Sequence, residues 1–378
     1  MSSWSALACM AITVVVAATA ITQPVIDSAA LPAKRLTPPL RSFSLIATGD
    51  ILTESPVNFN AALAAGPGER FDYAPLFAPI TAMIASADIS ICHMEMPIGG
   101  PGERPGVYGR SPFGGNLILA PHEIASGLQR AGFDRCSTAS NHSYDLGGAG
   151  IASTLAALDS VGMTHVGTAR SPSESDGAIV TVNGVRLAHL SYTRYSNTVL
   201  PSDPWRVNFA ATPAQVASDV NAARAAGAEV VVVSLHLSKE MSPAPAPDDR
   251  QFVTDLTALS RIDLIVEHGP HVIQPVERVN GTWVYWSIGN FISGMGIPST
   301  GRYADLRTLD GLAATARFTE TVPGTFTVEP WPVLLCLEPF TRRVYAPIIA
   351  LGSQLSPLIR SELEACLRRS TPVVPDVH

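Results

Sequence analysis

The stretch Glu229-Val-Val-Val-Val-Ser-Leu-His236 carries four consecutive valines and ends in an imidazole. A strand buried on one face alternates apolar with polar residues, so a run this continuously apolar fits a central parallel strand covered on both faces. A histidine closing such a strand needs a buried partner or a ligand. Outward from it, candidate strands lie at Ser44–Thr48, Ile89–His93, Cys136–Ala139, Ile179–Val182, Leu187–Tyr192, Leu264–Glu267, Thr282–Ser287 and Ala313–Phe318. Candidate helices lie at Pro75–Ala85, Glu123–Ala131, Ala149–Val161, Pro213–Ala226, Asp249–Ser260 and Pro357–Arg368. Strands separated by helices of that length imply crossover connections and a largely parallel sheet, hence an α/β fold.

Five polar clusters follow these strands: Thr48-Gly49-Asp50, His93-Met94-Glu95, Ser140-Asn141-His142 with Asp145, Ser234-Leu235-His236, and His268-Gly269-Pro270-His271. In open α/β sheets ligands bind beyond the carboxyl ends of the strands, where Asp50, Glu95, Asn141, His236, His268 and His271 would meet. Carboxylates, an amide oxygen and imidazoles suit one or two divalent ions such as Mn, Zn, Fe or Mg. His142 is then available as a general acid, with Asp145 three residues on to orient it. Each residue also has an ordinary reading. Asp50 fits a turn or helix cap, Glu95 a surface carboxylate, Asn141-His142 a helix cap and His268/His271 a structural pair. His93, His122, His165 and His189 are left outside the site, and neither Ser234 nor Ser287 sits in a nucleophile elbow.

Of the 378 residues 46% are hydrophobic and 15% charged, enough apolar material for a large core. The formal charge of -7 and the scattered Lys and Arg leave no footprint for nucleic acid. Residues 1–30 read as a signal peptide or membrane anchor, because Ala6–Thr22 is apolar and Ser28-Ala29-Ala30 follows it. On that reading the remainder is extracytoplasmic, with a Pro-rich linker over 31–42. Cys92, Cys136, Cys336 and Cys366 allow three pairings; core packing is expected for Cys92 and Cys136, and a bridge for Cys336 with Cys366. Long loops at Leu52–Tyr73, Ile98–Leu119, Tyr195–Asn208, Met241–Pro247 and Ser293–Asp310 read as groove walls. Arg104, Arg110, Arg194, Arg206 and Lys239 lie in the loops as sources of positive charge.

Six segments resemble the bacterial CapA, or poly-γ-glutamate capsule synthesis, proteins, which are similar to calcineurin-type metallophosphoesterases. They are Ala47-Thr-Gly-Asp50, Met94-Glu-Met-Pro97, Ala139-Ser-Asn-His-Ser-Tyr-Asp-Leu-Gly147, Ser234-Leu-His-Leu-Ser-Lys-Glu240, His268-Gly-Pro-His271 and Tyr285-Trp-Ser-Ile-Gly-Asn-Phe291. The resemblance runs from Phe43 to Phe291. It implies a four-layer α/β/β/α sandwich of the calcineurin-like type over 43–340, followed by a C-terminal strand and helix extension over 341–378. It also implies metal ligation by Asp50, Glu95, Asn141, His236 and His271, an acid-like His142, and cleft positions for Glu240 and Asn290 beside a substrate. The implied partners are an anionic envelope polymer such as poly-γ-glutamate and a membrane synthase or export complex. The implied activity is metal-dependent hydrolysis of a phosphoester or amide, with a non-catalytic polymer-binding or assembly role as the alternative. Four positions depart from the pattern: Leu52 stands where a second ligand histidine is usual, Ser140 replaces an asparagine, and Ser238 and Glu267 replace glycines.

Overall fold

The computed structural model describes residues 40–175, 178–237 and 239–375. Its first half comprises β1 (Ser42–Ile51), α1 (Ser55–Ala64), α2 (Ala74–Phe77), α3 (Thr81–Ile84), β2 (Ile89–Met94), β3 (Gly106–Arg110), β4 (Asn116–Leu119), α4 (Ile124–Ala131), β5 (Arg135–Ser137), α5 (Gly147–Ser160) and β6 (Thr164–Val166). There follow β7 (Ile179–Val182), β8 (Val185–Thr193), α6 (Pro213–Ala225), β9 (Val230–His236), α7 (Pro247–Leu259), β10 (Leu264–His268), β11 (Val276–Val279), β12 (Thr282–Tyr285) and β13 (Asn290–Ile292). The chain closes with β14 (Asp310–Val322), β15 (Thr325–Pro330), β16 (Val333–Leu337), β17 (Val344–Tyr345), α8 (Pro347–Ala350) and α9 (Pro357–Ser370).

Two mixed sheets stack, as the four-layer resemblance implies, whereas strand and helix alternation taken alone points only to a largely parallel sheet. The nine-stranded sheet runs β17-β16-β14-β1-β2-β5-β6, with β13 also on β1 and β15 on β14. The six-stranded sheet runs β11-β12-β10-β9-β8-β7. Each has a parallel centre, β1-β2-β5-β6 in one and β12-β10-β9-β8 in the other. Antiparallel strands flank these centres, β14 beside β1 and β7 and β11 at the edges of the smaller sheet.

The pleat sorts side chains into three apolar layers. On β9, Val230 and Val232 enter the layer between the sheets, where Phe43, Leu45 and Ala47 of β1 arrive from the other side. Val231, Val233 and Leu235 face outward with residues of α6 and α7 such as Val216, Val220, Phe252 and Leu256. Ile46 and Ile51 of β1 face the opposite way, toward Val57, Leu76, Ile84 and Leu128 of α1 to α4. Three layers of core between four layers of structure make the α/β/β/α sandwich that the resemblance implies. All four valines are fully buried, worth roughly 6–8 kcal/mol of gross apolar stabilisation. Phe43 and Phe318 stack at 4.6 Å and lock β1 to β14, while α8 and α9 bring Ala350, Leu363 and Cys366 into the same middle layer.

Several expectations are revised. Pro75–Ala85 is not one helix but the short turns α2 and α3, interrupted where Pro79 removes a backbone donor. The loop Leu52–Tyr73 contains α1, started by Pro56 and anchored by Val57 and Ala61 one turn apart. The loop Ile98–Leu119 contains the β3–β4 hairpin. Cys92 and Cys136 are not free core thiols: they face each other in register on β2 and β5, with Cα atoms 4.5 Å apart, and form a disulfide. Cys336 and Cys366 join β16 to α9 as expected. The extracytoplasmic, membrane-anchored reading is also corrected. No helix among the described residues is long and apolar enough to cross a membrane; the longest have 14 residues, about 21 Å against the roughly 30 Å of a bilayer core. The segment 1–30 on which that reading rested lies outside the described residues.

Candidate metal centre

β1, β2, β9 and β10 run parallel within their sheets and deliver their last residues to one edge of the sandwich. Asp50 pairs in register with His93 across β1 and β2, and His236 with His268 across β9 and β10. His93 and Glu95 are two residues apart at the end of β2. Asp50, His93 and His236 place one ligand atom each within 4.8 Å of one another, and so do Asp50, Glu95 and His271. Asp50 is common to both groups. His93 therefore belongs to the centre, although single-residue reading left it out. Its Nε2 lies 3.1 Å from His236 Nδ1, its Nδ1 lies 2.7 Å from Ser137 Oγ, and its ring stacks on His268 at 3.9 Å.

His271 Nδ1 lies 3.2 Å from Asp50 Oδ2, 3.9 Å from Glu95 Oε2 and 3.0 Å from Asn290 Oδ1. Asn290 in turn donates to the Thr308 carbonyl. Asn290 thus stands behind His271 and holds it, apart from the cleft wall where the resemblance would put it. His268 reaches Asp50 Oδ1 at 3.4 Å. Asn141 and His142 line the cleft, and His142 Nδ1 lies 2.6 Å from Asp145 Oδ2. Asn197, not foreseen from sequence, places its Nδ2 3.2 Å from His142 Nε2. Glu240 accepts from the Tyr303 hydroxyl at 2.6 Å. Glu54, another unforeseen cleft residue, accepts the Gly294 N–H at 2.6 Å.

Whether these residues suit a cation is decided by their unmet polar atoms. Asp50 Oδ1, Glu95 Oε2, Asn141 Oδ1 and both ring nitrogens of His268 are buried without a hydrogen-bond partner among the described residues. An unmet buried polar atom costs about 1–3 kcal/mol, and five at one spot are hard to maintain unless something binds there. The set is oxygen and nitrogen with no thiolate, which fits a divalent ion.

The charges are strongly perturbed. Burial pushes the Asp50 carboxyl up, but contacts from His268 and His271 outweigh it and hold Asp50 well below its ordinary value. Burial pushes Glu95 well above its own, with His271 opposing and Asp50 adding. Burial alone would lower His271, yet the Glu95 and Asp50 charges push it up to about 10. Burial lowers His236 to about 3 and holds His93 well below the usual imidazole range. A cation must therefore displace the proton held by His271. Zn²⁺ affinity is expected to tighten as pH rises from 6 to 8, by up to about tenfold per unit for each proton released. Competition titrations at three pH values check this, and a flat profile would contradict it.

Glu267, which precedes His268, shares the outward face of Ile265 on β10, and neither of its oxygens has a hydrogen-bond partner among the described residues. Burial holds its pKa well above the ordinary value, with Asp249 adding. Below about pH 4 the carboxyl is neutral folded or unfolded and costs nothing extra. As pH rises, the unfolded chain loses the proton first, so stability falls until the folded group also ionises. Glu267→Gln is expected to gain about 1–3 kcal/mol at pH 7–8 and nothing at pH 4. Thermal melts at the two pH values test it; equal gains at both would contradict the assignment.

The cleft over the centre has a volume of about 730 Å³, and its lining includes Leu52, Glu54, Glu95, Arg110, His142 and His271. A groove of about 750 Å³ around Thr257, Arg278 and Trp283 contributes to neither ligand group.

Fold and site define a four-layer α/β/β/α protein with a possible divalent-metal group of carboxylates and imidazoles at the shared sheet edge. The chain belongs to the family described as bacterial capsule synthesis protein PGA_cap, whose model matches residues 44–295. Among its relatives, the PGA biosynthesis protein CapA of Bacillus subtilis (strain 168) is 30% identical over 218 residues, 54% of each chain. The capsule biosynthesis protein CapA of Bacillus anthracis is 25% identical over 184 residues, 47% of this chain and 44% of that one. The chain thus spans about half the length of the curated relatives it matches. Among solved structures, the calcineurin-like phosphoesterase YfkN from Bacillus subtilis aligns with 88% of this chain and 98% of its own, at 13% identity and a TM-score of 0.45.

Proposed function

We propose that this chain is a metal-dependent hydrolase that cleaves a phosphoester or amide bond in an anionic polymer of the poly-γ-glutamate kind. The observation supporting it is the pair of buried ligand groups that share Asp50 beneath an open cleft. Asp50, His93, Glu95, His236 and His271 hold the metal, with Asn141 and His268 at its margin. A divalent cation there supplies Lewis-acid charge and lowers the pKa of water. Asp145 accepts the Nδ1–H of His142, which turns Nε2, beside the Asn197 amide, toward the cleft for proton exchange with the reacting groups. Burial of the ligand set keeps competing water and bulk dielectric away from these charges.

A second reading, non-catalytic holding of the polymer, is favoured by Leu52, which lines the cleft and offers no ligand atom. The two readings part in one experiment. The chain is stripped with chelator, titrated with Mn²⁺ and Zn²⁺, and assayed on a phosphodiester and a γ-glutamyl anilide. One or two bound equivalents with turnover is the expected result. Polymer binding without turnover selects the second reading, and absence of bound metal overturns the first.

A further inference from the structure

Two basic side chains line the cleft, Arg110 at the end of β3 and Lys239 just after β9. Among the described residues neither has an ion-pair or hydrogen-bond partner for its charged group. The neighbouring arginines are committed elsewhere: Arg70 to Glu123, Arg194 to Asp249 and Arg206 to Asp203. Arg342 is buried against the Ser293 and Met295 carbonyls. Of the five cations that the sequence placed in the groove loops, Arg194 and Arg206 are thereby taken, and Arg104 is not on the cleft wall.

The setting sharpens the contrast. The chain has a formal charge of -7, and the cleft also presents Glu54, Glu95 and Glu240. Those carboxylates repel an incoming anion, so attraction for one has to come from the basic side chains of the same wall. The backbone beside Arg110 is anchored, while its side chain is exposed. Ser111 N donates to the Gly115 carbonyl at 2.8 Å, and Ser111 Oγ donates to the carbonyl of Asn197, the residue that touches His142. The hairpin is thereby tied to the general-acid side of the site, and the exposed Phe113 at its turn widens the wall.

We propose that Arg110 and Lys239 are the anion-recognising residues of the cleft, which selects a ligand bearing repeated negative charges over a neutral polymer. The proposal rests on the hydrolase reading only for the position of the scissile bond; recognition itself needs no metal. Carboxylate and phosphate share the required chemistry, and two polymers separate them. Binding of poly-γ-glutamate, inorganic polyphosphate and neutral dextran to the full chain is measured by calorimetry at low and moderate salt. Arg110→Gln and Lys239→Gln are each expected to weaken polyanion binding about fivefold, and the double variant about 25-fold. Arg110→Lys is expected to restore much of the loss, the wild-type affinity to fall with salt, and the exposed Arg343→Gln to bind as wild type does. Tighter binding of poly-γ-glutamate assigns carboxylate, and tighter binding of polyphosphate assigns phosphate; either supports the proposal. Wild-type affinity in the double variant, equal binding of dextran, or no binding of either polyanion overturns it. Charge-dependent binding by a chain that takes up no metal would sink the hydrolase reading and leave this one standing.

Discussion

Asp50→Asn is expected to abolish stable binding of divalent metal and to lower metal-dependent turnover by about 1,000-fold or more. Asp50 is the one residue in both ligand groups, so its loss touches both at once. His236→Ala or His271→Ala each removes a ligand from one group only. The substitution is nearly isosteric, and the amide oxygen of Asn can still accept the Gly269 N–H that Asp50 Oδ2 accepts at 3.1 Å. The variant also removes a fully buried negative charge whose ion-pair partners among the described residues are the His268 and His271 imidazoles. A lost buried partner leaves His271 less easily protonated, which costs some stability, while desolvation of the carboxylate is relieved. The stripped variant is therefore expected to melt within a few degrees of the stripped wild type, and the stabilisation that metal gives the wild type should be missing. Metal analysis after dialysis and paired melts with and without Zn²⁺ decide it. Retention of wild-type metal content by Asp50→Asn would show that the shared carboxylate is not the pivot of the site.

The parts of this molecule that were legible in the sequence are those set by local pattern. The valine run is a buried strand because no one-sided sheet tolerates it, and β9 spans Val230–His236. The clusters ending in Asp50, Glu95, His236 and His271 meet because parallel strands deliver their carboxyl ends together. What sequence did not yield depends on register between distant segments. The antiparallel flank of the larger sheet turns on β14 lying beside β1, with Phe43 opposite Phe318, and no local signal fixes that pairing. The Cys92–Cys136 disulfide likewise needs β2 and β5 to be neighbours in register. β13 and β17 have three and two residues, too few for any periodicity to show. His93 was within reach: a residue two before Glu95 on a strand shares its face, and that relation by itself did not bring His93 into the expected ligand set. Asn290 was the opposite case, placed in the cleft by resemblance but set behind His271 by its hydrogen bonds.

Gly269→Ala is expected to destabilise the fold by about 3–5 kcal/mol and to weaken metal binding at least about tenfold. Two costs combine there. The residue has φ of +100°, a conformation that costs an L-residue roughly 1–2 kcal/mol. In addition, a Cβ at this position would run into the Leu237 carbonyl oxygen and stand 2.9 Å from His236 Nε2. The glycine lets the turn from His268 to His271 cross the end of β9 at contact distance, with Leu237 N bonded to the His268 carbonyl at 2.8 Å. Pushing the two segments apart would separate His236 from His271 and pull the Gly269 N–H off Asp50. Gly281→Ala provides the control, because Gly281 has φ of +88° but nothing within 4 Å of its added Cβ. It carries the conformational cost alone, about 1–2 kcal/mol, and should leave metal affinity unchanged. For a chain of this size the Gly269 variant corresponds to a fall in Tm of roughly 4–7 °C, read by melting curves beside a Zn²⁺ titration. Should Gly269→Ala lose no more stability than Gly281→Ala and bind metal normally, close approach would not be what this turn requires, and β9 and the His268–His271 turn would not jointly set the geometry of the centre.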